Sequence, residues 1–221
     1  GLSLILGGAE TNLWDLCRAY AFMSGTLNHF TTTQDEYRTN ELANLNYNFN
    51  ENVNFGNSVR NKNIWNAGAI WQTFEAMKEV NRPQGDEAWQ FYDSSIKIAW
   101  KTGTSFGGRD AWAVGVNKDY VVGVWVGNAT GEGRPLLTGV ESAAPILFDV
   151  FRIFPKSNWF ETPYNDLEKA AICKNSGFLA TNTCPGELKW VPKTAKKSKN
   201  CPYHKLIHLD VTKQYRINSS C

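Results

Sequence analysis

The sequence predicts an α+β fold: an antiparallel sheet covered by helices, followed by a Cys-rich, loop-dominated C-terminal extension. Three observations lead there. Three β-type runs follow one another at 95–102, 111–117 and 120–127, with the tight-turn sequence Val116-Asn117-Lys118-Asp119-Tyr120 joining the last two. Helical periodicity precedes and follows them. Beyond Pro155 the texture changes, and four of the five cysteines fall in that last part, at Cys173, Cys184, Cys201 and Cys221. We therefore expect one domain over 1–155 and an extension over 156–221.

Element by element, Thr11 is the expected N-cap of a first helix that carries Leu13, Leu16, Cys17, Tyr20 and Ala21 at helical spacing and ends at Gly25. Cys17 then lies on its buried face as an inert thiol. Residues 31–63 are polar, with Asn44, Asn46, Asn48, Asn50, Asn52 and Asn54 alternating with other residues. That pattern fits a polar hairpin at the rim of a cleft or a loop. A second helix is expected over 67–80, with Ile70, Phe74, Met77 and Val80 on one face and Arg82-Pro83-Gln84-Gly85 as its break. A closing helix over 142–154 carries Ala143, Ile146, Leu147, Val150 and Phe151, and Pro145 fits its first turn.

Composition narrows the function classes. The 42% hydrophobic and 20% charged fractions are those of a folded globular chain. A net charge of +2 without a concentrated basic face gives no reason to expect nucleic acid. The Lys-containing run at 193–199 reads as a solvated loop. Nine Trp and twelve Phe fit a large core before they fit a binding surface. The longest apolar run, 120–127, is strand-sized and far short of the about 20 residues that a bilayer crossing requires. The chain starts at Gly1, inside the motif-like GLSLILGGAE, so a piece or processed product of a longer protein is expected.

The tail cysteines admit two arrangements. Disulfides in an oxidising compartment suit a segment with few apolar residues, and sequence separation favours Cys173 with Cys184 and Cys201 with Cys221. A zinc site from Cys173, Cys184, Cys201 and His204 is the rival, but zinc ligands usually come as two close pairs and here only Cys201-Pro202-Tyr203-His204 is one. Disulfides are the expectation, with no metal and no cofactor.

The most telling run is Lys101-Thr102-Gly103-Thr104-Ser105, on the first of the three strands. Alternation puts Lys101 and Gly103 on one face, a cation beside a position without a side chain. A strand edge can pair with an extended peptide. The Thr102 and Thr104 hydroxyls can donate to a carboxylate, and the Thr104 N–H can serve as an oxyanion-hole donor. Lys-Thr-Gly is one of three signatures of the serine penicillin-recognising enzymes; the others are Ser-x-x-Lys and Ser-x-Asn. Ser94-Ser95-Ile96-Lys97 spells the first, but it enters a strand, where the two residues do not share a face as they would on a helix. Ser198-Lys199-Asn200 spells the second, but in the tail.

A wider set of residues carries a resemblance: Gly1 to Glu10 with Asp15 and Ala19-Tyr20-Ala21; Val80-Asn81-Arg82-Pro83; Ala99-Trp100 with the Lys-Thr-Gly-Thr-Ser run; Arg109 to Gly115; Gly123 to Asn128; Ala143 to Phe148; and Cys173, Ser176-Gly177, Cys184 and Cys201-Pro202-Tyr203-His204 in the tail. Together these resemble the C-terminal part of the transpeptidase domain of class A (bifunctional) penicillin-binding proteins. The resemblance implies an incomplete penicillin-binding protein/β-lactamase-like fold. It also implies serine acyl transfer on peptidoglycan stem peptides, the reaction β-lactams block, within a protein that carries a glycosyltransferase domain. That protein is anchored in the inner membrane by an N-terminal helix and works on the periplasmic side. Lys101, Thr102, Gly103 and Thr104 are the site residues that transfer, Lys101 and the Thr104 N–H as catalytic groups and all four as substrate-binding ones. The nucleophile, its Lys and the Ser-x-Asn residues would lie upstream of Gly1, making the upstream part of the domain a required partner. A non-catalytic module binding peptidoglycan or a partner protein is the alternative reading.

Overall fold

The first helix is capped one residue later than expected and runs a full two turns further. In this computed structural model, which describes residues 2, 4, 7–40, 52–60, 65–82 and 96–218, Asn12 accepts from the Asp15 N–H and opens α1, Leu13–Thr32. Gly25 does not end it. A mid-helix glycine costs about 1 kcal/mol relative to Ala, but Leu27 and Phe30 lie beyond it and are buried in the core. Burying such side chains is worth about 1.5–3 kcal/mol each, so tertiary contact outweighs the local breaker.

A short pair follows, β1 (Tyr37–Arg38) with β2 (Ser58–Val59), antiparallel. The alternating asparagines from Asn44 to Asn50 lie outside the described residues. α2, Ala67–Lys78, is capped by Asn66 accepting from the Ala69 N–H and buries Ile70 and Phe74. Of the Arg82-Pro83-Gln84-Gly85 break only Arg82 is described, donating to the Ile96 carbonyl at 2.6 Å.

The central sheet has the order β3 (Ala99–Thr104), β4 (Asp110–Val116), β5 (Val121–Gly127), antiparallel throughout. The hairpin between β4 and β5 is held by Asn117, whose Oδ1 accepts from the N–H groups of Asp119 and Tyr120 at 3.0 and 2.8 Å. After β5, a π-helical turn at Gly139–Ala143 leads into α3, Ala144–Ile153, with proline in its first turn as expected.

Alternation along the strands divides the core. Ile98, Trp100, Ala111, Ala113, Val122 and Val124 meet Leu147, Phe148 and Phe151 of α3 on one face. Ala99 and Val116 meet Leu27 and Phe30 of α1 and Ile70 and Phe74 of α2 on the other. The fold is thus α+β, with helices on both faces of an antiparallel sheet. No helix among the described residues is long and apolar enough to cross a membrane.

The chain divides into two compact units at Gly1–Pro163 and Tyr164–Cys221, a little beyond the texture change at Pro155. The second unit is built on a hairpin of β6 (Leu167–Cys173) and β7 (Gly186–Pro192). A 3-10 turn, Lys193–Lys197, stands where a solvated loop was expected, and a small pair closes the unit, β8 (His208–Leu209) with β9 (Arg216–Ile217). Only Leu167, Cys173 and Cys201 are buried among its described residues.

Candidate functional site

β3 is an edge strand, and no strand pairs with its outer side among the described residues. The Ser105 N–H donates to the Asp110 carbonyl at 2.9 Å. Counting back in twos, Gly103 and Lys101 are the residues bonded to β4, and Thr102 and Thr104 turn their N–H and C=O groups to the outer edge. The Thr104 N–H therefore points where an acceptor beside the sheet could use it.

Side-chain directions follow the same alternation. Lys101 and Gly103 lie on the face covered elsewhere by α1 and α2, and both are exposed. The Lys101 Nζ donates to the Thr102 carbonyl at 2.6 Å, which folds the cation over the strand edge. Among the described residues, a Cβ at Gly103 would meet only Trp112 Cβ, at an ordinary 3.7 Å. The fold itself does not require glycine there, so the bare position leaves open surface beside the cation.

The two threonines face the α3 side. Thr104 Oγ1 accepts from the Gly139 N–H at 3.0 Å, leaving its own hydrogen to donate. Gly139 has no room for a side chain: a Cβ would sit 2.6 Å from both the Gly103 and Trp112 carbonyl oxygens. The turn at 139–143 thus braces the strand from behind. Of the two look-alike motifs, Ser94 and Ser95 lie outside the described residues, and Ser198-Lys199-Asn200 belongs to the second unit.

A second cluster lies in that unit, where disulfides were expected. Cys173, Cys184 and Cys201 are free thiols, not bridged pairs, and Cys221 is outside the described residues. Their sulfurs and one ring nitrogen of His204 lie within 4.8 Å of one another. Cys173 ends β6, and the turn after it closes through Gly177, at φ +74°, whose N–H bonds back to the Cys173 carbonyl at 2.9 Å. The Cys184 N–H donates to Thr181 O at 3.0 Å, and the Thr181 N–H points to Cys184 Sγ at 3.3 Å. Cys201 is brought in by a parallel bridge between Leu179 and Asn200 and by its N–H bond to Leu179 O at 2.8 Å. His204 Nδ1 then lies 3.3 Å from Cys201 Sγ and 3.4 Å from Cys173 Sγ.

Donors converge on these sulfurs. Ser176 Oγ lies 3.2 Å from Cys201 Sγ. That hydrogen bond, followed by the one from His204, brings the Cys201 thiol down to about 5. Cys17, by contrast, is a half-buried free thiol on α1, and burial pushes it up, away from reactivity.

No model of a known protein family matches this chain. Among curated proteins, penicillin-binding protein 1C of Escherichia coli (strain K12) is 32% identical over 187 residues, covering 80% of this chain and 20% of that protein. Among solved structures, penicillin-binding protein 1A from Haemophilus influenzae aligns with a TM-score of 0.44 and 16% identity, over 60% of this chain and 21% of that one. The chain thus spans about one fifth of the length of the relatives it matches. Identity at 32% across four-fifths of the sequence extends far beyond a three-residue motif, and the chain belongs to the class A penicillin-binding protein family.

Proposed function

We propose that this chain supplies the Lys-Thr-Gly wall of a serine D,D-transpeptidase cleft, acting on peptidoglycan stem peptides and open to β-lactams. In this reading Gly1–Pro163 is the C-terminal part of the transpeptidase domain. The nucleophilic serine, its lysine and the Ser-x-Asn residues come from sequence outside these 221 residues. The longer protein would pair this activity with a glycosyltransferase and work on the periplasmic side of the inner membrane, held by an N-terminal anchor.

The observation that carries the reading is the outer edge of β3, which no strand among the described residues covers, with the Thr104 N–H directed outward and Lys101 beside the bare Gly103. A stem peptide in extended form can add to that edge through backbone hydrogen bonds. Lys101 attracts its terminal carboxylate and assists proton movement at the serine, while the Thr102 and Thr104 hydroxyls offer donors from the other face of the strand. As the acyl carbon becomes tetrahedral, the Thr104 N–H meets the charge growing on its oxygen. One such donor is worth about 2.7–4 kcal/mol in acyl transfer.

The test is covalent labelling with a fluorescent penicillin. The 221-residue chain by itself is expected not to label, because among the described residues no serine is paired with a helical lysine. A longer protein that includes the upstream sequence is expected to label at an upstream serine. A stable adduct on a defined serine of the chain alone overturns the assignment, as does a longer protein that binds peptidoglycan but never acylates.

A further inference from the structure

The second unit has almost no apolar core. Among its described residues the buried side chains are Leu167, Cys173 and Cys201, and two of these three are cysteines of the cluster. Units this small rarely hold themselves together by burial alone; they use disulfides or a metal. Cys173, Cys184 and Cys201 carry free thiols. What converges instead, from three separate stretches of chain, is a soft donor set of three sulfurs and one imidazole nitrogen.

We propose that Cys173, Cys184, Cys201 and His204 form a structural zinc site that stands in for the missing core of the Tyr164–Cys221 unit. A tetrahedral zinc with Zn–S of about 2.3 Å and Zn–N of about 2.0–2.1 Å sets neighbouring ligand atoms about 3.5–3.8 Å apart. His204 Nδ1 lies 3.4 Å from Cys173 Sγ and 3.3 Å from Cys201 Sγ, and all four ligand atoms lie within 4.8 Å of one another. The two nitrogen–sulfur spacings already match that geometry within a few tenths of an ångström, and the widest pair has to draw in by at most about 1 Å. A disulfide needs its two sulfurs at about 2.05 Å, leaving the third thiol and the imidazole idle.

The surroundings are those of bound thiolates. Ser176 Oγ donates to Cys201 Sγ at 3.2 Å, and the Thr181 N–H donates to Cys184 Sγ at 3.3 Å. Thr183 Oγ1 fixes the approach of the histidine by donating to the His204 carbonyl at 2.7 Å. Such outer contacts hold ligands in place and spread the charge of three thiolates. Sulfur donors select zinc over calcium or magnesium, which prefer oxygen. Four protein ligands fill a tetrahedron and leave no position for substrate, so the site is structural. Its ligands tie the end of β6 to the segments around 184 and 201–204, which backbone bridges alone hold weakly.

The test uses the full 221-residue chain, purified without chelator. Elemental analysis is expected to find one zinc per chain, retained in Cys17→Ala. Exchange with Co(II) is expected to give sulfur-to-cobalt charge-transfer absorption and the intense visible bands of a tetrahedral site. Cys184→Ser and His204→Ala are expected to lose stoichiometric zinc, and Ser176→Ala to bind it about tenfold more weakly. Because a ligand variant can fail to fold, hydrogen exchange on the unmodified chain gives an independent reading. Chelation is expected to remove amide protection within Tyr164–Cys221 and leave Gly1–Pro163 protected, and Zn(II) restores it. A metal-free chain with bridged tail cysteines overturns the proposal. So does a zinc equivalent whose affinity is unchanged in Cys184→Ser.

Discussion

Gly123 of β5 lies directly against Cys17 of α1: a Cβ on Gly123 would sit 2.3 Å from the Cys17 sulfur and 2.8 Å from Leu13 Cδ1. The helix can approach the sheet this closely only because position 123 lacks a side chain. Gly123→Ala is expected to destabilise the first unit by about 1–3 kcal/mol, the usual penalty for overfilling a tight contact. Adding Cys17→Ala removes the sulfur and should recover part of that loss, with Leu13 accounting for the remainder. Urea unfolding of the two single variants and the double one decides it; an unaltered midpoint for Gly123→Ala would refute the contact.

The brace behind β3 gives a second expectation. Thr104→Val takes away the acceptor of the Gly139 N–H, and an orphaned buried donor costs about 1–3 kcal/mol, whereas Thr104→Ser keeps the bond. Gly139→Ala should be worse than either, since the two carbonyl oxygens it would strike belong to the backbone. The ranking of the three melting temperatures is the readout.

Lys101 and Gly103 should separate function from folding. Both are exposed, and the fold leaves room for a Cβ at 103, so Lys101→Ala and Gly103→Ala should melt within about 0.5 kcal/mol of the unaltered chain. In the longer protein, Lys101→Ala is expected to slow penicillin acylation roughly tenfold to a hundredfold, the worth of one charge-assisted contact of about 1.5–3 kcal/mol. Gly103→Ala should slow it as well by crowding the incoming strand. Acylation within twofold of the unaltered rate in both would remove this strand from the site.

The turn between β4 and β5 depends on one side chain. Buried Asn117 accepts two backbone N–H bonds through Oδ1, and its own carbonyl is reached by Ser24 of α1 at 3.4 Å. Asn117→Ala is expected to cost about 1–3 kcal/mol by leaving the Asp119 and Tyr120 donors without their partner. Thermal unfolding against a Ser24→Ala control, expected to be milder, checks it.

The sequence alone determined what depends on local pattern. The three strands, the Asn117 hairpin, the second and closing helices and the Lys101-Thr102-Gly103-Thr104 run could all be placed within a few residues, because period 2, period 3.6 and turn chemistry are written in neighbouring residues. Tertiary structure decided everything that depends on residues far apart. Gly25 reads as a helix end, and only the burial of Leu27 and Phe30 shows why α1 continues through it. That Thr104 turns its N–H outward follows from the register with β4, in which a one-residue slip would exchange it with Gly103. The cysteines make the point most sharply. Spacing along the chain favoured two short disulfide loops, but the bridges Ile172–Leu179 and Leu179–Asn200 fold the unit so that Cys173, Cys184, Cys201 and His204 meet at one point. The sequence could name these four residues as one of two arrangements; that they meet is decided by the fold in space.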